Sequence, residues 1–130
     1  YAEEAGVADI VHYTGRRNDV EACISAFDAG VVASLWSEAI ARAALEIMAC
    51  GRPLLSTTVG VMPDLLPVAA MYPPGNIGEL ARLLLTLKNN IQFKKDLLRY
   101  QETTMQGLSP DCFLNSTLAV YEAALAKLRK

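Results

Sequence analysis

Apolar residues recur along this chain with two different periods, and the change falls near residue 76. Before it, short apolar runs alternate with short helical stripes. Ala2 to Ala5 read as the last turn of a helix, stopped by Gly6. Ile10-Val11-His12-Tyr13-Thr14 reads as a short strand that ends at Gly15. Asn18 or Asp19 can cap a helix that reaches Phe27, with Val20, Cys23, Ile24 and Phe27 at helical spacing. Ala29 to Ser34 is continuously apolar, which predicts a strand buried on both faces. After the polar break Ser34-Leu35-Trp36-Ser37-Glu38, Ile40 to Ala49 forms a strong helical stripe with Gly51 at its C-terminal cap. Leu54 to Thr57 is another short strand. Val59 to Pro67 is a loop with one helical turn, and Val68 to Tyr72 is a last strand closed by Pro73-Pro74-Gly75.

Beyond residue 76 only the helical period remains. Asn76 can cap a helix, and Glu79 stands three residues on at capping-box spacing. Leu80, Leu83, Leu84 and Leu87 share one face of that helix. A second helix spans Gln92 to Thr104. A third follows Ser109-Pro110 to Leu128, with Leu114, Leu118, Tyr121, Leu125 and Leu128 as its stripe, and these stripes are expected to be core. The fold class is therefore α/β: a parallel sheet with right-handed crossovers over residues 1–75 and helices packed on it over 76–130, in a single domain. In such sheets ligands bind where strands run into helices, which singles out Gly15 to Asp19, Ser34 to Ile40 and Thr57 to Asp64.

A chain of 130 residues fits one domain that folds without metal or disulfide. With 52% hydrophobic and 20% charged residues, intrinsic disorder is excluded. A net charge of −2 argues against a nucleic-acid-binding module. It leaves room for a small phosphorylated ligand, because a helix N-terminus binds phosphate without net positive charge. Cys23, Cys50 and Cys112 form no CxxC motif, and a reduced, cytosolic setting is the simplest reading. No apolar run approaches the ~18–20 residues of a membrane span. The opening residues Tyr1-Ala2-Glu3-Glu4-Ala5-Gly6 lack both an initiator Met and the regions of a signal peptide, as expected for an excerpt of a longer protein.

Candidate chemistry concentrates between Ser37 and Pro53. Glu38 falls in the loop that opens the helix, and Glu46 lies about two turns inside it, roughly 12 Å along the axis at ~1.5 Å per residue. Carboxylates accept hydrogen bonds from sugar hydroxyls, and the helix N-terminus between them offers N–H groups to a diphosphate. Taken singly, Glu38 reads as a helix-start carboxylate and Glu46 as an exposed helix residue. His12 reads as structural, Cys50 as a small core residue, and Trp36 as packing beside the site, although an exposed aromatic there could stack on a sugar or base. Arg16, Arg17 and Arg42 read as solvated charges.

Together these residues resemble the C-terminal, donor-binding half of the GT-B-fold retaining glycosyltransferases, group 1 or family 4. Ser37-Glu38, Leu45-Glu46, Met48-Ala49-Cys50-Gly51 and Pro53 match that family's pattern of two glutamates separated by seven residues. The flanks match as well: Gly6-Val7, Asp9 and Val11 before Thr14-Gly15; Phe27-Asp28-Ala29-Gly30-Val31-Val32 before Ser34; Val59-Gly60 before Pro63-Asp64; and Pro73-Pro74-Gly75-Asn76 before Leu80. The resemblance covers nearly the whole chain.

It implies a Rossmann-like parallel sheet that lacks its first strands, and a hexosyltransferase whose donor is a UDP-, GDP- or ADP-sugar. Glu38 would contact the donor sugar and place its anomeric carbon, as the catalytic residue. Ser37, Arg42 and the backbone N–H groups of Ala39, Ile40 and Ala41 would face sugar and diphosphate. Glu46 would hold the ribose, the loop at Gly15-Arg16 would lie beside the nucleobase, and Gly60 would keep its loop close. The family works without a metal or other cofactor. Its N-terminal domain, which the resemblance places in the same chain, supplies the acceptor site, so the excerpt alone is expected to be inactive. The implied setting is cytoplasmic, with any membrane association peripheral, at the inner face. The acceptor is unknown. Departures from the family pattern are Ala39-Ile40 for Gly-Phe, Val61 for Gly, and Asp64 for Glu. A nucleotide-sugar 2-epimerase of the same fold and a non-catalytic scaffold domain stay open as alternatives.

Overall fold

The apolar run at residues 54–57 becomes the centre of the sheet. In this computed structural model, which describes residues 1–37 and 39–128, β1 (Gly30–Val32), β2 (Leu54–Thr57) and β3 (Met71–Tyr72) lie in the order β1-β2-β3, all parallel. Gly30, Val31 and Val32 face Leu54, Leu55 and Ser56, while Ser56 and Thr57 face Met71 and Tyr72. Every residue of β2 is buried. The two polar ones are satisfied: the Ser56 hydroxyl donates to the carbonyls of Val32 (3.2 Å) and Thr57 (3.1 Å), and the Thr57 hydroxyl donates to that of Ser34 (2.7 Å).

The helices are α1 (Val20–Ser25), α2 (Arg42–Ala49), α3 (Met62–Leu65), α4 (Ile77–Asn89), α5 (Ile91–Gly107) and α6 (Pro110–Leu128). Helix α2 buries Ala44, Ile47 and Met48 and packs on both β1 and α5. It can lie this close to the strand because residue 30 is glycine: a Cβ there would stand 2.7 Å from Ile47 Cδ1. Helix α2 ends in a Schellman turn. Gly51, at φ 65°, donates to the Met48 carbonyl, and the Arg52 N–H reaches back to Ile47. Helix α4 starts where the spacing predicted, with Asn76 Oδ1 accepting the Glu79 N–H at 3.0 Å. The Glu79 carboxylate does not return to complete the capping box. It pairs with Arg82 at 2.6 Å, one turn on.

Several expectations give way, each for a physical reason. Residues 10–14 are not a strand: a 3-10 turn occupies Ala8–Ile10, and the extended residues after it find no neighbouring strand among those described, so His12 is exposed. Val31 is exposed because β1 is an edge, with β2 on one side only. In place of the strand at residues 68–72, a 3-10 turn at Val68–Ala70 is closed by the Ala70 N–H on the Pro67 carbonyl (2.9 Å), which leaves Met71 and Tyr72 alone in the ladder. Helix α1 has no side-chain cap, since Asp19 is held by Arg17. It stops at Ser25, short of Phe27. Helix α2 starts at Arg42 rather than at Ile40, and Trp36 is 91% exposed rather than packed. The α6 stripe is not core: Leu114, Leu118, Tyr121 and Leu125 are all exposed. Among the described residues no helix is long and apolar enough to cross a membrane.

Tyr72 is 3% exposed, and its hydroxyl meets no hydrogen-bond partner among the described residues. Burial pushes its phenol pKa up. Removing an unpaired buried hydroxyl removes a desolvation penalty. Tyr72→Phe is therefore expected to leave stability unchanged or raise it by up to about 1 kcal/mol in denaturant unfolding. A loss of that size would mean the hydroxyl has a partner.

Candidate functional site

The C-terminal ends of the three strands open on one side of the sheet, and the loops that follow β1 and β2 are tied together there by the Thr57 hydroxyl on the Ser34 carbonyl. Residues 33–41 follow β1 and lead into α2. Ser37, Ala39 and Ile40 of this loop are exposed, and Glu38 lies outside the described residues. Gly60, at φ 57°, turns the loop after β2 into α3, a backbone conformation that favours glycine.

Among the described residues no side chain caps the start of helix α2. Its first-turn N–H groups belong to Arg42, Ala43 and Ala44, two residues later than the sequence pattern placed the helix start. Helical spacing therefore carries only the four steps from Arg42 to Glu46, about 6 Å. The 12 Å along one axis expected between Glu38 and Glu46 does not apply, because residues 39–41 are not helical.

Ala41 occupies the N-cap in the left-handed region, at φ 51° and ψ 41°, and is 1% exposed. A Cβ in that region is strained by about 1–2 kcal/mol, while the buried methyl contributes about 0.8 kcal/mol in return. Ala41→Gly is thus expected to leave stability within about 0.5 kcal/mol of wild type, since glycine also loses more chain entropy on folding. Ala44→Gly, in the buried helical interior, is expected to lose about 2 kcal/mol, combining helix propensity with the lost methyl. Equal losses at the two positions would show that residue 41 is not strained.

Glu46 is exposed on the outer face of α2 and borders two adjoining cavities. One, of about 360 Å³, lies between α1 and α2 and is walled by Val20, Glu21, Ile24, Ala49 and Cys50. The other, of about 270 Å³, brings Glu46 and Ala43 of α2 together with Thr14, Gly15 and Arg17 of the loop before α1, and with Phe27 after it. Gly15 makes the turn into this loop at φ 62°. The fold thus joins Gly15 and Glu46, which stand far apart in sequence. Arg16 is exposed and does not line the cavity; its neighbour Arg17 does. Arg42 is exposed at the start of α2. A larger groove of about 860 Å³, lined by Met48, Gly51, Lys95, Arg99 and Glu102, sits at the opposite, C-terminal end of α2.

Arg17 is the residue the sequence pattern passed over. Its guanidinium grips Asp19 with two hydrogen bonds, Nε to Oδ1 at 2.9 Å and Nη2 to Oδ2 at 2.6 Å. The hydrogen bond to Asp19 raises the arginine pKa further, and the same bond holds the Asp19 carboxyl below its ordinary value. A carboxyl depressed by folding contributes above its unfolded pKa, and that contribution is lost as pH falls through the folded value. The pair is therefore intact at neutral pH and opens only in acid, below the range where an ordinary aspartate titrates. The available signal was Arg-x-Asp just after Gly15, which by itself looks like any solvated pair. Among the described residues no group of three His, Cys, Asp or Glu is placed to hold a metal ion.

Comparison with known proteins matches this architecture. MMP α-(1→4)-mannosyltransferase of Mycolicibacterium hassiacum is 27% identical over 135 aligned residues, which is 96% of this chain and 32% of that one. The structure of Anabaena HepE in complex with UDP superposes with a TM-score of 0.79 at 20% identity, over 95% of this chain and 35% of that one. In complex with UDP-glucose its identity to this chain is 23%, with the same TM-score. Sucrose-phosphate synthase of Thermosynechococcus elongatus superposes at 0.79 and 21% identity, over 97% of this chain and 33% of that one. The chain spans about a third of the length of these proteins. The fold is thus the α/β, Rossmann-like one of GT-B glycosyltransferases. The family described as Glycosyl transferases group 1 matches residues 1–90, and the chain belongs to it.

Proposed function

We propose that this chain is the nucleotide-sugar donor-binding part of a retaining glycosyltransferase, which moves a hexosyl group from a nucleoside diphosphate sugar to an acceptor. The observation that carries the reading is one cavity lined by both Gly15 and Glu46, beside the start of α2. Glu46 would accept hydrogen bonds from the ribose hydroxyls. About 6 Å back along the axis, the first turn of α2 and the exposed loop residues Ser37, Ala39 and Ile40 would face the diphosphate, with Arg42 adding positive charge, whereas Ala41 is buried and does not reach it. Those N–H groups would stabilise the negative charge that builds on the leaving diphosphate as the anomeric C–O bond breaks. Glu38 would hold the sugar, and Gly60 would keep the loop after β2 close to the site.

Family membership supports this reading, as do the ligands in the HepE complexes, UDP and UDP-glucose, and the mannosyl transfer named for the M. hassiacum relative. On this reading residues 1–130 form one donor-binding domain, with a sheet region to about residue 75 and helices after it. The acceptor site would lie in an N-terminal domain, in the part of the relatives' length that this chain does not span. The enzyme would be cytoplasmic, and peripheral to the inner membrane face where its acceptor is a lipid. Calorimetric titration of the full-length protein with UDP, GDP, ADP and their sugars tests the proposal, followed by product analysis with an acceptor. Saturable binding and a glycosylated acceptor of retained anomeric configuration are expected. Absence of nucleotide binding would point to a scaffold. An epimerised donor with no acceptor consumed would replace transfer with isomerisation.

A further inference from the structure

Resting on that reading, we infer that Arg17, held by Asp19, selects nucleobases that carry a keto oxygen at pyrimidine position 4 or purine position 6, uracil or guanine, over those that carry an amino group there, cytosine or adenine. If Glu46 holds the ribose, the base attached to that ribose enters the cavity that Glu46 shares with residues 14–17. Its walls suit a flat ring: Val20, Phe27 and Ile47 are apolar, and polar side chains are few. Arg17 lines the same cavity and remains 42% exposed, so a ligand can reach it.

The chemistry of the guanidinium supplies the selectivity. It donates hydrogen bonds and never accepts them. Asp19 takes the Nε–H and one Nη2–H, which fixes the plane of the group; Cys23, in the same cavity, lies within reach of a further N–H, and the rest are left for a ligand. A keto oxygen at the base edge pairs with such a donor, as O4 of uracil or O6 of guanine would. An amino group in that place sets donor against donor, so that neither pairs with the other and both must turn to water, a weaker form of the mismatch that gives polar sites their discrimination. Because Arg17 is exposed, the expected preference is moderate, about tenfold.

The test compares bases of equal ring size in the full-length protein: UDP against CDP, and GDP against ADP, titrated into wild type, Arg17→Ala and Arg17→Gln. Wild type is expected to bind the keto member of at least one pair about tenfold more tightly. In Arg17→Ala that ratio is expected to fall to about twofold or less, through loss of keto-base affinity alone. Arg17→Gln, whose amide both donates and accepts, is expected to narrow the ratio while strengthening the amino-base complex relative to Arg17→Ala. A ratio unchanged in Arg17→Ala overturns the inference. So does an equal loss for all four nucleotides, which would make Arg17 a phosphate contact. The two failures can be told apart. Nucleotides that bind wild type and lose affinity in Glu46→Ala, with no change of base ratio in Arg17→Ala, leave the donor site standing and remove base selection. No binding of any nucleotide overturns both.

Discussion

Gln101→Leu is expected to lower the unfolding free energy by about 2–4 kcal/mol. Gln101 lies inside α5, yet it is 1% exposed and its amide completes the sheet. Its Oε1 accepts the Leu54 N–H at 2.9 Å, and its Nε2 donates to the Arg52 carbonyl at 2.8 Å. Strand β3 covers only Ser56 and Thr57, so the start of β2 has no backbone partner on that side and the side chain of α5 stands in for the missing ladder. Leucine has similar bulk but no polar atoms, so two backbone groups would be left unpaired, at about 1–3 kcal/mol for the buried one and less for the partly exposed one. The comparison is Thr103→Ala on the exposed face of α5, expected to stay within about 0.5 kcal/mol. Denaturant midpoints measure both variants, and amide exchange at Leu54 should accelerate only in the first. Equal midpoints would show that the amide clamp contributes nothing.

Glu46→Ala is expected to weaken every nucleoside diphosphate by about 10–100-fold, the effect of losing a charge-assisted hydrogen bond of about 1.5–3 kcal/mol. Because the ribose is common to all nucleotides, the loss should be the same for each base, unlike the effect of changing Arg17. Glu46 is exposed and makes no ion pair among the described residues, so stability should change by less than about 0.5 kcal/mol. Glu46→Gln keeps one neutral acceptor and should fall between wild type and alanine. Calorimetry of the full-length protein reads all three. Unchanged affinity in Glu46→Ala would remove this residue from the donor site.

The parts of the fold legible in the sequence were those governed by local chemistry. The α4 cap at Asn76, the left-handed stop at Gly51, the buried run of β2 and the face of Leu83 and Leu87 all follow from spacing and from what single side chains can do for their own backbone. The parts that failed depend on a neighbour. Residues 10–14 have the composition of a strand, but a strand exists only when another accepts its hydrogen bonds, and none among the described residues does. The α6 stripe has the spacing of a core face, but spacing does not say what, if anything, is placed against it.

The same division holds at the candidate site. By itself the sequence determined the family pattern, the two glutamates and the class of ligand worth testing, because those lie in one continuous stretch whose residue types carry the chemistry. Only the tertiary structure decided that Arg17 rather than Arg16 lines the cavity at Gly15 and Glu46, and that Gln101 closes the sheet from forty-seven residues away. Each of these depends on how α1, α2 and α5 pack around the strands, and a contact between distant segments leaves no mark in the local pattern of either one.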